Sequence, residues 1–506
     1  MTADAIAPTA NALLQAGTKA HKIGDLRSAE ELYQQALDSL GVSSSDAPKD
    51  KDTDVAEIFH LLGALRVQKL VGSAKEEEDD EKPSLQGAAA ASLAEAIALL
   101  RCARASLPSA ASDAARARVA SSLGTALLHA PKGQEEQGMA RAKGSSLEEA
   151  VAVLREACRL DSQRWSAWYN LSRALALFSL DRERQGFTDE LRALTEERIA
   201  ALRAAQGLRP RHAGCLYRLG MACREKGENQ EALTLLTNFM EATEGDKSAG
   251  SLRRRAGASH WLAVLRGETT ATAPAEYVAG LFDGYAERFD EHLVGALEYR
   301  TPELLAEELA LLKETLLAES PDSQPFARCA DLGCGTGLMG PPLRGLGVQH
   351  LEGVDLSAKM LEVAKDKDRG YNRLVCGDLV DIFEEDDQAT KFDLVVAADV
   401  FVYVGDLQPA LSAASRSLTA QGAVAFSTEA PPRAGSANEK ESKVPEGGYK
   451  LAETGRYMHT ASYVRSTAEA CGLRLCKRAN VVLRKNGGKP VHGHLHLLRK
   501  MSTEGL

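Results

Sequence analysis

Apolar positions recur at helical spacing through the first half of the chain. Residues 1 to about 268 are rich in Ala, Leu, Glu and Arg and hold almost no strand-like run. The pattern changes after "GETTATAPA" (267–275). A helical stretch comes first, "YVAGLFDGYAERFDEHLVGALEYRTPELLAEEL". Short apolar runs then alternate with helical segments: "ARCADLG", "HLEGVDL", "YNRLVCGDL", "KFDLVVAADV" and "GAVAFSTEA". Strands that alternate with helices predict parallel strands in a doubly wound α/β sheet. Only "NGG" and Lys489 separate "LRLCKRANVVLRK" from "PVHGHLHLLRK", so the sheet is expected to close with an antiparallel hairpin. The predicted organisation is a helical domain over 9–266, a linker over 267–275 and an α/β domain over 276–500.

The helical half has a longer rhythm. Within 13–40, Gly17 and Ala20 precede Gly24, then Ala29, Tyr33 and Ala36. Within 216–242, Gly220, Cys223, Gly227, Ala232, Leu236 and Phe239 follow the same offsets. Segments 61–68 with 93–108, 121–130 with 146–160 and 166–178 with 196–210 read as three degenerate units, and 251–265 as a capping helix. Small residues at these offsets suit the contact of two antiparallel helices, with a large residue filling the gap. The pattern resembles the tetratricopeptide repeat, a helical pair recurring about every 34 residues. That resemblance implies an all-α solenoid of about five repeats, with a groove for a protein or peptide partner. The inserts 73–87 and 131–144 read as solvated loops.

"DLGCGTGLMG" (331–340) places four glycines after a short strand. It parses as G-x-G-x-G through Gly333, Gly335 and Gly337, or as the dinucleotide pattern G-x-G-x-x-G through Gly335, Gly337 and Gly340. Either lets a ligand approach bare backbone beyond the carboxyl end of a strand. Acids close the next two runs, Asp355 and Asp378, and small Ala397 and Ala398 end the fourth. A carboxylate at the second strand end can accept both hydroxyls of a ribose, and one at the third can reach an adenine amino group. Taken singly, each acid also suits a helix N-cap.

"DLGCGTG", "GVDLSAKML", "CGDL" and "FDLVVAADV" resemble the first four motifs of class I S-adenosylmethionine-dependent methyltransferases, over about residues 276 to 500. The resemblance implies a Rossmann-like sheet of seven strands with the last antiparallel, and S-adenosylmethionine as cofactor. It favours the first parse, because that class keeps an acid two residues before G-x-G-x-G, here Asp331. A nicotinamide enzyme would instead carry a parallel sixth strand rather than a closing hairpin. By the same resemblance Gly333, Gly335 and Gly337 turn around the amino acid part of the cofactor, and Asp331 helps hold that end, directly or through water. Asp355 binds the ribose with Leu356 beside the adenine, Asp378 takes the adenine amino group, Leu379 flanks the ring, and Ala398 lies near the methionyl end. The stretch from Tyr277 is similar to the leading helices of a bacterial-type group of methyltransferases with tetratricopeptide repeats. There an aromatic residue covers the cofactor, which makes Tyr285, with Tyr277, Phe282 and Phe289, a candidate.

A sulfonium methyl is already activated, so transfer needs alignment of the acceptor and exclusion of water. A hydroxyl or amine acceptor also needs a base. Asp399 and Tyr403 follow the fourth strand; Tyr457 and His459 follow the insert 430–448, which reads as a flap on the cofactor side. Tyr403 and His459 are the catalytic candidates. His492, His494 and His496 alternate as a metal triad would on one strand face, but lack a carboxylate partner and read as structural, with no metal expected.

Composition narrows the partners. The chain of 506 residues is 44% hydrophobic with a net charge of −10, which gives no general attraction to nucleic acid or anionic lipid. No apolar run is long enough to span a bilayer, and the opening residues lack a basic-then-apolar signal, so neither membrane nor secretion is expected. Nine cysteines without C-x-x-C spacing fit reduced thiols in the cytoplasm. The competing expectation is a repeat adaptor whose methyltransferase fold is inactive; the intact glycines and acids argue against it.

Overall fold

The computed structural model describes residues 8–43, 52–72, 87–130, 146–184, 187–290, 298–383, 391–431, 447–486 and 488–501. The inserts 73–87 and 131–144 fall outside them apart from Gly87, and the insert 430–448 does so apart from its ends. The chain divides into two compact units, Met1–Ser251 and Leu252–Leu506.

The first unit is helical. Its helices are α1 (Ala10–Lys22), α2 (Leu26–Ser39), α3 (Thr53–Gly72), α4 (Ala88–Ser106), α5 (Asp113–Leu127), α6 (Ser146–Leu160), α7 (Trp165–Arg184), α8 (Thr188–Leu208), α9 (Ala213–Lys226) and α10 (Asn229–Ala242). Thr9, Asp25 and Ser112 each cap a helix by accepting from a backbone N–H three residues on, at 3.4, 3.1 and 3.3 Å. Consecutive helices pack as five pairs, from α1 with α2 to α9 with α10.

The small residues explain the close approach within each pair. A Cβ at Gly17 would lie 2.7 Å from the Tyr33 ring, one at Gly63 2.8 Å from Leu100, one at Gly124 2.4 Å from Leu154 and one at Gly220 2.9 Å from Leu236. The large residue of the second helix therefore occupies the space where a side chain on the first would stand. Salt bridges tie the second helix of one pair to that of the next: Arg104 to Glu156 at 2.6 Å, Arg155 to Glu197 at 2.6 Å, and Arg203 to Glu231 at 2.7 Å. These pairs are half-exposed and contribute little individually.

The second unit contains α11 (Ala249–Arg266, all but its first turn), α12 (Ala275–Asp283), α13 (Thr301–Glu319), β1 (Arg328–Leu332), α14 (Gly340–Gly345), β2 (His350–Asp355), α15 (Ala358–Asp366), β3 (Arg373–Cys376) and β4 (Phe392–Ala397). It continues with α16 (Gln408–Ser417), β5 (Leu418–Glu429), β6 (Tyr449–Leu451), β7 (Tyr457–His459), α17 (Ala461–Ala470), β8 (Leu473–Asn486) and β9 (Lys489–Lys500). β3, β2, β1, β4 and β5 lie side by side and parallel. β9 runs antiparallel to β5, and β8 pairs antiparallel with β9, as the hairpin reading expects. Two apolar layers flank the sheet, one built on Leu332, Val354 and Phe426, the other on Leu305, Leu351 and Leu497.

Three differences from the sequence reading appear. Among the described residues the sheet has nine strands rather than seven, because β7 joins β5 at Glu429 and Met458 and β6 pairs with β7. Each of these two strands has three residues, too few for an alternating pattern to register. The leading helical stretch breaks after α12 into a 3-10 turn at Ala286–Arg288. Residues 267–275, read as a linker, lie in the second unit and are tied down: Ala273 N–H donates to the Tyr403 carbonyl at 2.9 Å, and the N–H groups of Gly405 and Asp406 both donate to Ala271 at 2.8 Å.

Candidate active site

The carboxyl ends of β1, β2 and β4 form the crevice where the sequence motifs meet. β1 ends in the glycine turn. Gly333, Gly335 and Gly337 take φ of 62°, 53° and 82°, left-handed values that only glycine adopts freely. Their reasons differ. A Cβ at Gly333 would strike Val400 at 2.6 Å, so that glycine serves packing against the loop after β4. Among the described residues nothing lies within 4 Å of a Cβ built at Gly335, so no packing seen there demands a glycine and the turn brings main chain to open space. Gly340, the alternative glycine of the dinucleotide parse, would place a Cβ 2.1 Å from the Arg369 carbonyl; its smallness is needed for packing.

Two carboxylates flank the turn. Asp331 is only 1% exposed, and the Tyr371 hydroxyl donates to its Oδ2 at 2.6 Å. Burial pushes the Asp331 carboxyl up to about 7; the Tyr371 hydrogen bond opposes this, and the nearby Asp355 charge adds to it. Asp355, at the end of β2, accepts from the N–H of Gly335 at 2.9 Å and of Ser357 at 2.8 Å. Burial raises its carboxyl too, while those two N–H groups pull it down. Each Asp355 oxygen takes one of these bonds and has a second lone pair for a hydroxyl.

Asp378 is exposed in the turn after β3, where its Oδ1 accepts from the Val380 N–H at 3.3 Å, a local turn rather than a helix cap. Leu379 packs on one apolar layer of the sheet and Ala398 on the other. Leu356 joins an apolar cluster with Phe282, Tyr403, Tyr277 and Val278. The Phe282 ring meets Tyr403 edge-on at 5.5 Å, and Tyr285 meets Phe289 edge-on at 5.4 Å. Tyr285 is half-buried, and burial pushes its hydroxyl up to about 12. The stretch from α12 thus sets Phe282 on Tyr403 and in the cluster that holds Leu356. Tyr277 instead stacks on His260 at 4.6 Å.

His459 is placed differently from its expected catalytic role. It is 0% exposed, and its Nε2 faces the carbonyls of Val404 at 2.9 Å and Gly405 at 3.1 Å. Two carbonyl acceptors fix the proton on Nε2, and burial holds the imidazole neutral, with its pKa down to about 4. It braces the loop after β4 and exposes no nitrogen to an acceptor. Asp399 is also engaged. It takes φ 59°, its N–H donates to Ser427 Oγ at 2.8 Å, and its Oδ2 pairs with Arg484 at 2.5 Å. Arg484 spans to Glu429 as well. Tyr457 is fully buried, its hydroxyl bonded to Thr270 at 2.5 Å. Of these side chains, Tyr403 and Asp399 remain partly exposed.

Of the β9 histidines, His496 serves the core, His494 is partly buried and His492 is exposed. His496 bonds to Thr428 at 2.9 Å and stacks on Phe426 at 5.0 Å, and burial lowers its pKa to about 3.

Sequence reasoning missed Tyr371, Ser357, Thr336, Asp283 and Asp290. Ser357 carried a usable signal, since it caps α15 by accepting from the Met360 N–H at 3.2 Å. Thr336 lies inside the quoted "DLGCGTG"; Tyr371, Asp283 and Asp290 lie in no recognisable spacing.

Residues 330–426 match the model of a family described as a methyltransferase domain. The matched span lies wholly within the second unit. That span runs from within β1 through the glycine turn and β2 to most of β5. The chain is 30% identical over 151 residues to the malonyl-[acyl-carrier protein] O-methyltransferase of Salmonella typhimurium. The match takes in 30% of this chain and about half, 53%, of that relative. Among solved structures, the magnesium protoporphyrin IX methyltransferase of Synechocystis PCC 6803 with bound SAM is 14% identical, with 46% of this chain and 100% of that one covered and a TM-score of 0.30. An S-adenosylmethionine dependent methyltransferase from Mesorhizobium loti is 20% identical, with 35% and 94% covered and a TM-score of 0.26. Among the described residues of this protein, no helix is long and apolar enough to cross a membrane.

Proposed function

We propose that the protein transfers the methyl group of S-adenosylmethionine to an acceptor bound beside Tyr403. The observation that carries this reading is the open left-handed turn at Gly335, set between the buried carboxylates Asp331 and Asp355. That arrangement suits a ligand with a cationic amino group at one end and a ribose diol at the other. When bound, S-adenosylmethionine supplies an activated sulfonium methyl group. The residues supply placement: Asp331 faces the amino end, Asp355 the ribose, Leu356 and Leu379 the adenine faces, and Asp378 its amino group. Ala398 lines the methionyl end, and Phe282 and Tyr285 exclude water. Tyr403 orients the acceptor; with His459 and Asp399 both engaged elsewhere, the site is best suited to an acceptor that needs no base, such as a carboxylate. The printed name of the Salmonella relative makes an acyl-carrier-protein thioester with a free carboxylate the first acceptor to test.

We read the five helical pairs as tetratricopeptide repeats that hold a protein partner or deliver a protein-bound acceptor. The glycine-to-large-residue contacts at Gly17, Gly63, Gly124 and Gly220 support this reading. The nine unbridged cysteines suit a reducing compartment such as the cytoplasm.

Calorimetric titration with S-adenosylmethionine tests the cofactor, and labelled methyl transfer into a cell lysate, followed by size separation, tests the acceptor. Absence of heat from the wild-type protein sinks the enzymatic reading and leaves a repeat adaptor.

The raised Asp331 carboxyl makes a pH prediction. Folding favours its protonated form, so its own contribution to stability fades as pH rises from the ordinary carboxylate range through about 7. Cofactor affinity should move the other way, strengthening from about pH 6 to about 7.5 as the carboxylate charges, then levelling as the ligand's amino group loses its proton. Asp331→Asn should flatten that rise. Tyr371→Phe, which removes the hydrogen bond that favours the charged form, should move its midpoint upward. An unchanged midpoint in Tyr371→Phe would contradict the assignment.

A further inference from the structure

Residues 275–290 form a strap fastened at three places around the crevice. At its middle, Phe282 rests on Tyr403, in the turn after β4. One residue on, Asp283 accepts from the Ser357 hydroxyl at 2.6 Å, two residues past Asp355. At its far end, Asp290 accepts from the Thr336 hydroxyl, next to Gly335 in the glycine turn. The other Asp290 oxygen takes Lys367 at 2.7 Å and Arg369 at 2.6 Å, both just past α15. Arg369 also packs its side chain where a Cβ at Gly337 would stand, 2.7 Å away. One carboxylate therefore joins the strap, the glycine turn and the segment beyond α15.

We propose that Asp290 is a positioning residue for the cofactor: it latches the 275–290 strap over the glycine turn, and the bound nucleoside can enter or leave only when that latch opens. The proposal rests on the cofactor reading above. The chemistry suits a latch. Burial works to raise the Asp290 carboxyl, but the bonds from Lys367 and Thr336 and the charge of Arg369 outweigh it and hold it below the ordinary value. Lys367 and Arg369 are partly exposed, so salt can reach and weaken the pair. The strap carries Tyr285 and Phe289, which meet each other edge-on, so its release moves the aromatic cover as one piece. Asp283 and Ser357 form a second fastening that does not involve the cations.

If release of the latch leaves the closed strap populated about one time in ten, cofactor affinity falls about tenfold. Hydrogen exchange of the cofactor-free protein tests the latch without any ligand. Asp290→Asn should speed exchange in peptides covering 277–290 while leaving β4 and β5 unchanged. Calorimetry should then show S-adenosylmethionine binding weakened about tenfold, with the salt dependence of the wild-type protein lost. Lys367→Gln, at a half-exposed side chain, should give an intermediate opening if Asp290→Asn fails to fold, and Asp290→Glu should restore most of the closure. Unchanged exchange over 277–290 in Asp290→Asn overturns the proposal, as does a loss of affinity without any change in exchange. A wild-type protein that takes up no S-adenosylmethionine defeats the cofactor reading itself, and is told apart because the exchange arm contains no cofactor.

Discussion

Asp355→Ala should bind S-adenosylmethionine at least about 100-fold more weakly than the wild-type protein. Two hydroxyl-to-carboxylate hydrogen bonds contribute roughly 1.5–3 kcal/mol each, and every 1.4 kcal/mol is a factor of ten. The loss extends to the protein itself. The N–H groups of Gly335 and Ser357 now donate to Asp355, and removing the carboxylate frees the glycine turn from β2. Asp355→Asn separates the two effects: it keeps an acceptor for one N–H while losing the charge. Calorimetry on both variants, with circular dichroism to confirm folding, reads the outcome. A folded Asp355→Ala protein with wild-type affinity would remove the ribose assignment.

Arg484→Met should destabilise the second unit by about 3–5 kcal/mol, the usual consequence of stranding buried charge. Arg484 is 4% exposed and holds Asp399 and Glu429 at the ends of β4 and β5. Burial works against its charge, but the two carboxylates prevail and drive its pKa above the ordinary value. Without it, Asp399 loses its ion pair and Glu429 is left with Arg456 at 3.8 Å, both with little water. Urea-dependent hydrogen exchange in β5 and β9 peptides measures the effect, and Asp399→Asn with Glu429→Gln in the same chain should return part of it. Full stability in Arg484→Met alone would mean that the acids find solvent or a proton without cost.

The parts of the site that repeat at strand ends were legible from the chain. Asp331, Asp355 and the glycines announce themselves because they stand at the ends of apolar runs, where a parallel sheet binds its ligands. The helical pairs were legible for a similar reason, since Gly17 with Tyr33 and Gly220 with Leu236 keep the same offsets. What escaped depends on contacts across the sheet. Tyr371 reaches Asp331 over 40 positions, and a tyrosine before a strand marks nothing by itself. Asp283 and Asp290 sit in an amphipathic stretch, where acids ordinarily face solvent. His459 reads as a catalytic candidate because nothing in "RYMHTA" tells that the Val404 and Gly405 carbonyls lie against its imidazole.

The stretch that joins α11 to α12 carries a practical lesson for anyone cutting this gene. Thr270 caps the Tyr457 hydroxyl, Thr272 bridges to Val404, and His260, upstream in α11, holds the Gly455 carbonyl at 2.9 Å. A fragment begun at residue 276, where the motif resemblance starts, would lack the threads that stitch the Tyr403 turn and the β6–β7 hairpin in place. An expression clone of the catalytic portion should therefore begin no later than residue 252.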